Sequence, residues 1–384
     1  MQFEVNAGKQ NRPAGPVAIA VPEGKIKSTD VVGLLDATSD TPVRAQVDSR
    51  GQLCWWNGPM KAGEKRTFKL DPKGILGDDS RVRIDESHPD QVQIWLKDRH
   101  LTTYNFAEPT PDSPRPYLYP LYGPSGLPMT RNYPMRDDVE GEKHDHKHHM
   151  SCWVAWGRVN EVDHWLSGTL KTGLQAHRGF ETSASGQVFG QLTAIIEWMG
   201  GTGKPRQMTE QRTYKFYRGE KDFWMFDLKV QLQLTDEDIT LGDTKEGGFC
   251  SLRVASSMRT DRGGVFTNAE GLQGESQCWG QPSPWVDYVG KVDGKTVGLT
   301  IMDHLDNVRH PTRWHVRGYG LFTANPFGLS HFTRDQKNDG SMTWKKGETI
   351  VFQYRVLLHT DATDKANIAG HYANYVDSQN VAIS

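Results

Sequence analysis

The stretch WMFDLKVQLQLT, residues 224–235, alternates Phe226, Leu228, Val230, Leu232 and Leu234 with polar partners. Successive side chains of an extended chain point to opposite faces, so this pattern predicts a strand with one face buried and one polar. The reading extends outward. FGQLTAIIEWMG (189–200), QMTEQRTYKFYR (207–218), TVGLTIMDH (296–304) and TIVFQYRVLLHT (349–360) alternate or run apolar over strand lengths. Upstream, PVAIAVP (16–22), PVRAQVD (42–48), QLCWWNG (52–58), VQIWLKD (92–98) and HLTTYNFA (100–107) are short runs separated by Gly, Pro, Asp and Asn turns. Strands at this spacing favour sandwiches. The one persuasive helix is TDKANIAGHYANYVDS, 363–378. The prediction is an all-β chain: a small N-terminal β-sandwich domain over 1–108, then a large β-sandwich over 109–384 that carries the active site.

Composition fits this and excludes other classes. Over 384 residues, 36% are hydrophobic and 24% charged, with 39 Gly, 12 Trp and a net charge of -2. A nucleic-acid binder would carry a basic stripe, and none is visible. No run of 18 apolar residues suggests a membrane span. Four cysteines lie far apart without a CxxC pair, so a zinc ribbon or thioredoxin-like site is not expected, and Cys152 and Cys250 read as buried free thiols. The N-terminus lacks the shape of a signal peptide, which leaves periplasmic, secreted and cytoplasmic locations open. Oligomeric state is not legible.

Between the two halves runs EPTPDSPRPYLYPLYGPSGLPMTRNYPM, 108–135, with eight prolines. It reads as neither helix nor central strand. Its tyrosines and methionines predict an ordered loop lying over the body, with Tyr122 and Arg131 beside a pocket. GEKHDHKHHMSCWVAWG follows, packing His144, His146, His148 and His149 with Asp145 just before an apolar strand. Three readings compete. If the segment is extended, His144, His146 and His148 share a face and suit zinc or copper. Buried against the strand, His148 and His149 suit acid/base work. A solvated polar loop is the third.

Two further stretches are rich in polar groups. ITLGDTKEGGFCSLRVASSM sets Lys245 and Glu246 in a turn before Gly247-Gly248, where a carboxylate can act as acid or base and glycine allows a close approach. MDHLDNVRHPTRWHVRGYGLFTANPFG mixes His304, His315, Arg317 and Asn325 with aromatics, a combination that suits sugar rings and hydroxyls. Surface ion pairs and satisfied strand ends would produce the same residues.

Together RPYLYPLYGPSGLPMTRNYPM, HDHKHHMSCWVAWGRVNEVDHW, LGDTKEGGFCSLRVA and HPTRWHVRGYGLFTANPFG resemble the bacterial proteins labelled methane oxygenase PmoA, over roughly residues 100 to 360. Members show DHPHHRG where this chain has DHKHHMS; Asp145, His146, His148 and His149 are kept. The membrane methane monooxygenase subunit is helical, so the label does not describe an activity for a β-rich chain. The strand-rich halves are similar instead to the galactose-mutarotase-type super-sandwich, which hosts epimerases, lyases and glycoside hydrolase domains. The resemblance implies a carbohydrate-active enzyme of polysaccharide degradation, by hydrolase, lyase or epimerase chemistry. His148, His149, Glu246 and Arg131 are the catalytic candidates. Lys245, His304, His315, Arg317, Asn325 and Tyr122 are the substrate contacts, and no metal or cofactor is required. The alternatives are a metal-dependent oxygenase or hydrolase using the histidines, and a carbohydrate-binding protein without turnover.

Overall fold

Strand Phe223–Gln233 forms as its alternation dictates, with Phe226, Leu228, Val230 and Leu232 buried in the main core and Asp227, Lys229 and Gln231 on the opposite face. It belongs to a computed structural model that describes residues 1–22, 26, 31–71, 82–377 and 381–383. Around it an eight-stranded antiparallel sheet runs in the order Leu174–Ala184, Phe189–Met199, Arg206–Tyr217, Phe223–Gln233, Thr349–His359, Lys295–Asp303, Trp285–Val292 and Val265–Asn268. We call this the second main sheet. The first main sheet, also eight-stranded and antiparallel, runs Arg313–Arg317, Leu321–Asn325, Gly247–Arg253, Cys152–Trp156, Tyr117–Leu121, Arg99–Asn105, Gln91–Leu96 and Val82–His88. The two pack face to face over one continuous core, so the main body is an all-β sandwich.

Strands Val82–His88, Gln91–Leu96 and Arg99–Asn105 were expected in an N-terminal domain ending at residue 108. They pair into the first main sheet instead, because Val82, Val92, Ile94, Leu96, Leu101 and Tyr104 bury their side chains in the main core. Ahead of them the described residues form a seven-stranded sheet. Its order is Gly15–Ala20, Gln52–Asn57, Pro42–Val47, Val31–Asp36, Lys65–Asp71, Gln2–Asn6 and Val381–Ile383. It wraps its own core of Phe3, Leu34, Leu53, Trp55 and Phe68. It is seated on the outer face of the second main sheet through Cys54, Trp56, Phe189, Tyr217 and Met225.

The proline-rich segment departs from expectation in one place. Tyr117–Leu121 is a central strand, paired on both sides. Pro120 is tolerated because the register shifts between Leu118 and Leu121, a bulge where no ladder donor is needed. The rest of the segment lies over the body as an ordered loop. The helix expected over 363–378 is Ile368–Val376, and Ser378 lies outside the described residues. All four cysteines are free and buried. Among the described residues no helix is long and apolar enough to cross a membrane.

Candidate functional site

Strand Cys152–Trp156 is buried on both faces, and that double burial creates the site. Cys152, Val154 and Trp156 enter the main core, while Trp153 and Ala155 point outward into a small cluster with Trp165 and Leu321. On the neighbouring strands alternation sends Arg253, Leu321, Thr323, Asn325, His315 and Arg317 to the same outer face, with Trp314, Val316, Phe322 and Ala324 facing the core. The histidine-rich and proline-rich loops cover this face. Arg131 N donates to Arg253 O at 3.0 Å, and Arg253 N donates to Ser151 O at 2.8 Å, which sets the two arginines side by side.

Two like charges together need a counter-ion, and Asp145 supplies it. Its Oδ1 accepts from Arg131 Nη1 at 2.5 Å and from Arg253 Nη2 at 2.9 Å, with His146 Nδ1 at 3.1 Å. Burial would raise the carboxyl's pKa, but Arg253, His146 and Arg131 hold it down at about 2. Burial, followed by the charge of Arg131, brings Arg253 down to about 10 despite Asp145.

Arg131 was expected among the catalytic residues. It is instead 1% exposed, and its remaining donors go to the carbonyls of Tyr133 and His146. It positions the loop.

The histidine loop is irregular rather than extended, so strand alternation does not bring His144, His146 and His148 together. His144 stacks on Tyr133 at 4.5 Å, His146 on Tyr319 at 4.6 Å, and His148 packs against Trp165 at 6.1 Å. Among the described residues no group of three or more His, Cys, Asp or Glu is arranged to hold a metal ion. His149 is buried between the rings of His146 and Trp153, and its Nδ1 contacts Arg253 Nη1 at 2.9 Å. Burial, then its cationic and imidazole neighbours, keeps its pKa well below the usual value. His148 is half-buried and stands perpendicular to His149 at 4.4 Å. Burial first, then Arg115 and His146, holds His148 down to about 3, against the pull of Glu246.

Glu246 lies across from these rings on the turn before Gly247–Arg253. Burial would raise its pKa, but the hydrogen bond from Lys245 Nζ and the neighbouring His315 and His148 lower it. His315 donates through Nδ1 to Lys245 O at 2.7 Å, because a carbonyl only accepts. Its Nε2 is buried with no partner among the described residues, and burial takes the ring down to about 4. Arg317, half-exposed, donates to Glu275 at 2.8 Å and lies near enough to His315 and Tyr319 to influence both.

The structure therefore brings together His148, His149, Lys245, Glu246, His315, Arg317 and, beneath them, Arg131. Three expected contacts lie elsewhere or serve the scaffold. Asn325 donates to the carbonyls of Thr244, Lys245 and Gly247 and accepts from the amides of Phe327 and Gly328, so it holds the Lys245-Glu246 turn. Tyr122 packs on the main core beside His100, at 5.5 Å. His304 sits near Gln353 and Tyr375, on the second main sheet's side of the molecule.

Sequence reasoning missed Arg253, whose guanidinium covers Tyr319 at 4.5 Å, and Arg115. The latter is buried and donates to the carbonyls of His148, His164, Trp165 and Leu166 at 2.7–3.0 Å. Asp145 was visible in the histidine stretch, but nothing there marked it as the shared counter-ion.

Residues 91–373 match a family of unknown function (DUF6807), and the chain belongs to that family. No curated protein matches it.

Proposed function

We propose that this outer face is the active site of a carbohydrate-active enzyme working by proton transfer, with His148 as the base. The observation that carries the reading is a part-exposed imidazole within electrostatic reach of Glu246, itself bonded to Lys245, on a loop tied down by Arg115, Arg131, Arg253 and Asp145. A base needs a free lone pair near the reacting proton, and His148 makes no side-chain hydrogen bond among the described residues to engage either nitrogen. Lys245 and Arg317 are the cations available to a developing negative charge. His149, buried and held at Nδ1, keeps His148 in place.

Hydrolysis, elimination and epimerisation all need a base and a proton donor. With their pKa values lowered, His148 and Glu246 are unprotonated bases at neutral pH, which leaves the Lys245 ammonium as the proton donor beside them.

The test is turnover on neutral and uronate-containing oligosaccharides, with products read by mass spectrometry. His148→Ala should lower the rate by about 100-fold or more with an unchanged Tm. Full activity in that variant removes His148 from the chemistry. Loss of activity on EDTA treatment, restored by zinc or copper, would hand the site to metal catalysis, and binding without any product would make it a recognition surface.

A further inference from the structure

The opposite side of the molecule holds a cleft. Strand register sets Gln191, Lys215, Asp227 and Arg355 in one row across four strands of the second main sheet, and Thr193, Thr213, Lys229 and Gln353 in the next. On an open sheet such rows would face water. Here the N-terminal sheet roofs them, fixed by Lys215 Nζ donating to Asp48 Oδ2 at 2.9 Å and Gln191 Nε2 donating to Ser49 Oγ at 2.9 Å. The roof does not close onto the floor. A cavity of about 590 Å³ lies between them, bounded at one side by Asn374 and Tyr375 of the C-terminal helix. Small-molecule sites typically measure roughly 300–1,000 Å³.

The walls suit a polyhydroxylated ligand. Amides and hydroxyls recur along the floor, each able to donate and accept. The charges are arranged unequally. Arg355 donates twice to Asp227, at 2.6 and 2.9 Å, beneath the rings of Tyr217 and Tyr375. Lys215 has Asp48. Lys229 has no carboxylate within ion-pair distance among the described residues, and its Nζ donates only to the neutral Gln231 Oε1 at 2.9 Å. Burial and the nearby Arg50 disfavour its charge, a penalty that a bound anion would relieve.

We infer that this cleft binds a small sugar acid, its carboxylate on Lys229 and its hydroxyls on the glutamine and threonine rows. The inference uses none of the residues of the histidine site and stands apart from whether catalysis occurs there.

Calorimetric titration tests it with glucuronate and a digalacturonate, against glucose and glucose 6-phosphate, on the full chain. The uronates should bind, and Lys229→Met should weaken them by roughly 10- to 100-fold, the range expected for losing a charge-assisted hydrogen bond. Lys229 is half-buried with one weak bond, so the variant should keep its Tm. Thr213→Val should weaken the uronates too. The inference is overturned by absent uronate binding, by equal affinity in Lys229→Met, or by glucose or glucose 6-phosphate binding as tightly as the uronates.

Discussion

A guanidinium carries five N–H donors and no acceptor, so a histidine nitrogen that meets one must offer its lone pair. For His149 that nitrogen is Nδ1, which puts the ring's proton on Nε2. Replacing Arg253 by Met removes this constraint and half of Asp145's cationic pairing. The variant should lose about 2 kcal/mol of stability, and long-range proton–nitrogen NMR should show His149 exchanging between tautomers where the parent shows Nδ1 unprotonated. A single unprotonated Nδ1 in both proteins would remove Arg253 from that role. The histidines were legible because four of them crowd six residues. Arg253 was not, since an arginine in an apolar strand carries no local signal, and its partner Asp145 lies 108 positions away. Arg131 was legible in place but not in role, because only burial distinguishes a clamp from a strut.

The Gly247-Gly248 pair permits a close approach, and the approach is by side chains. A Cβ on Gly248 would fall 1.5 Å from Thr323 Oγ1, and one on Gly247 2.5 Å from the Trp156 ring. Gly248→Ala should therefore cost about 1–3 kcal/mol or more. In a Thr323→Ala background the cost should shrink, a coupling that a double-mutant cycle in urea would read. Equal costs in both backgrounds would show that the contact does not limit packing there. Strand Phe223–Gln233 was plain from its period of two. Tyr117–Leu121 was hidden because Pro120 sits inside it, and proline's lost donor counts against a strand unless a bulge is already known. The division of strands between sheets was equally hidden. Alternation tells which residues of 82–105 turn inward, not which core receives them.

Across the whole molecule, buried neutral histidines should make the fold acid-sensitive. His164 and His315 are held down to about 4 and His371 to about 3, each chiefly by burial, and His149 lies well below its usual value. In the unfolded chain each takes up a proton near pH 6.5. Below that the unfolded state binds more protons, so stability falls with pH until the folded values are reached, by up to about 1.4 kcal/mol per pH unit for each ring. His359 opposes this: burial would lower it, but Asp287 raises it, so its contribution is full below pH 6.5 and lost as pH rises through its folded value. With these four rings and His148 against one, Tm should drop between pH 7 and pH 5, above the range where most carboxylates titrate. A flat profile there would mean that these rings take up protons inside the fold. A different kind of consequence follows from Val381–Ile383 lying beside Gln2–Asn6, Phe3 opposite Ile383. Synthesis at roughly 5–20 residues per second separates the two strands by roughly 20 to 80 s. For that interval the nascent sheet has an open edge, available to any other chain that can add a strand.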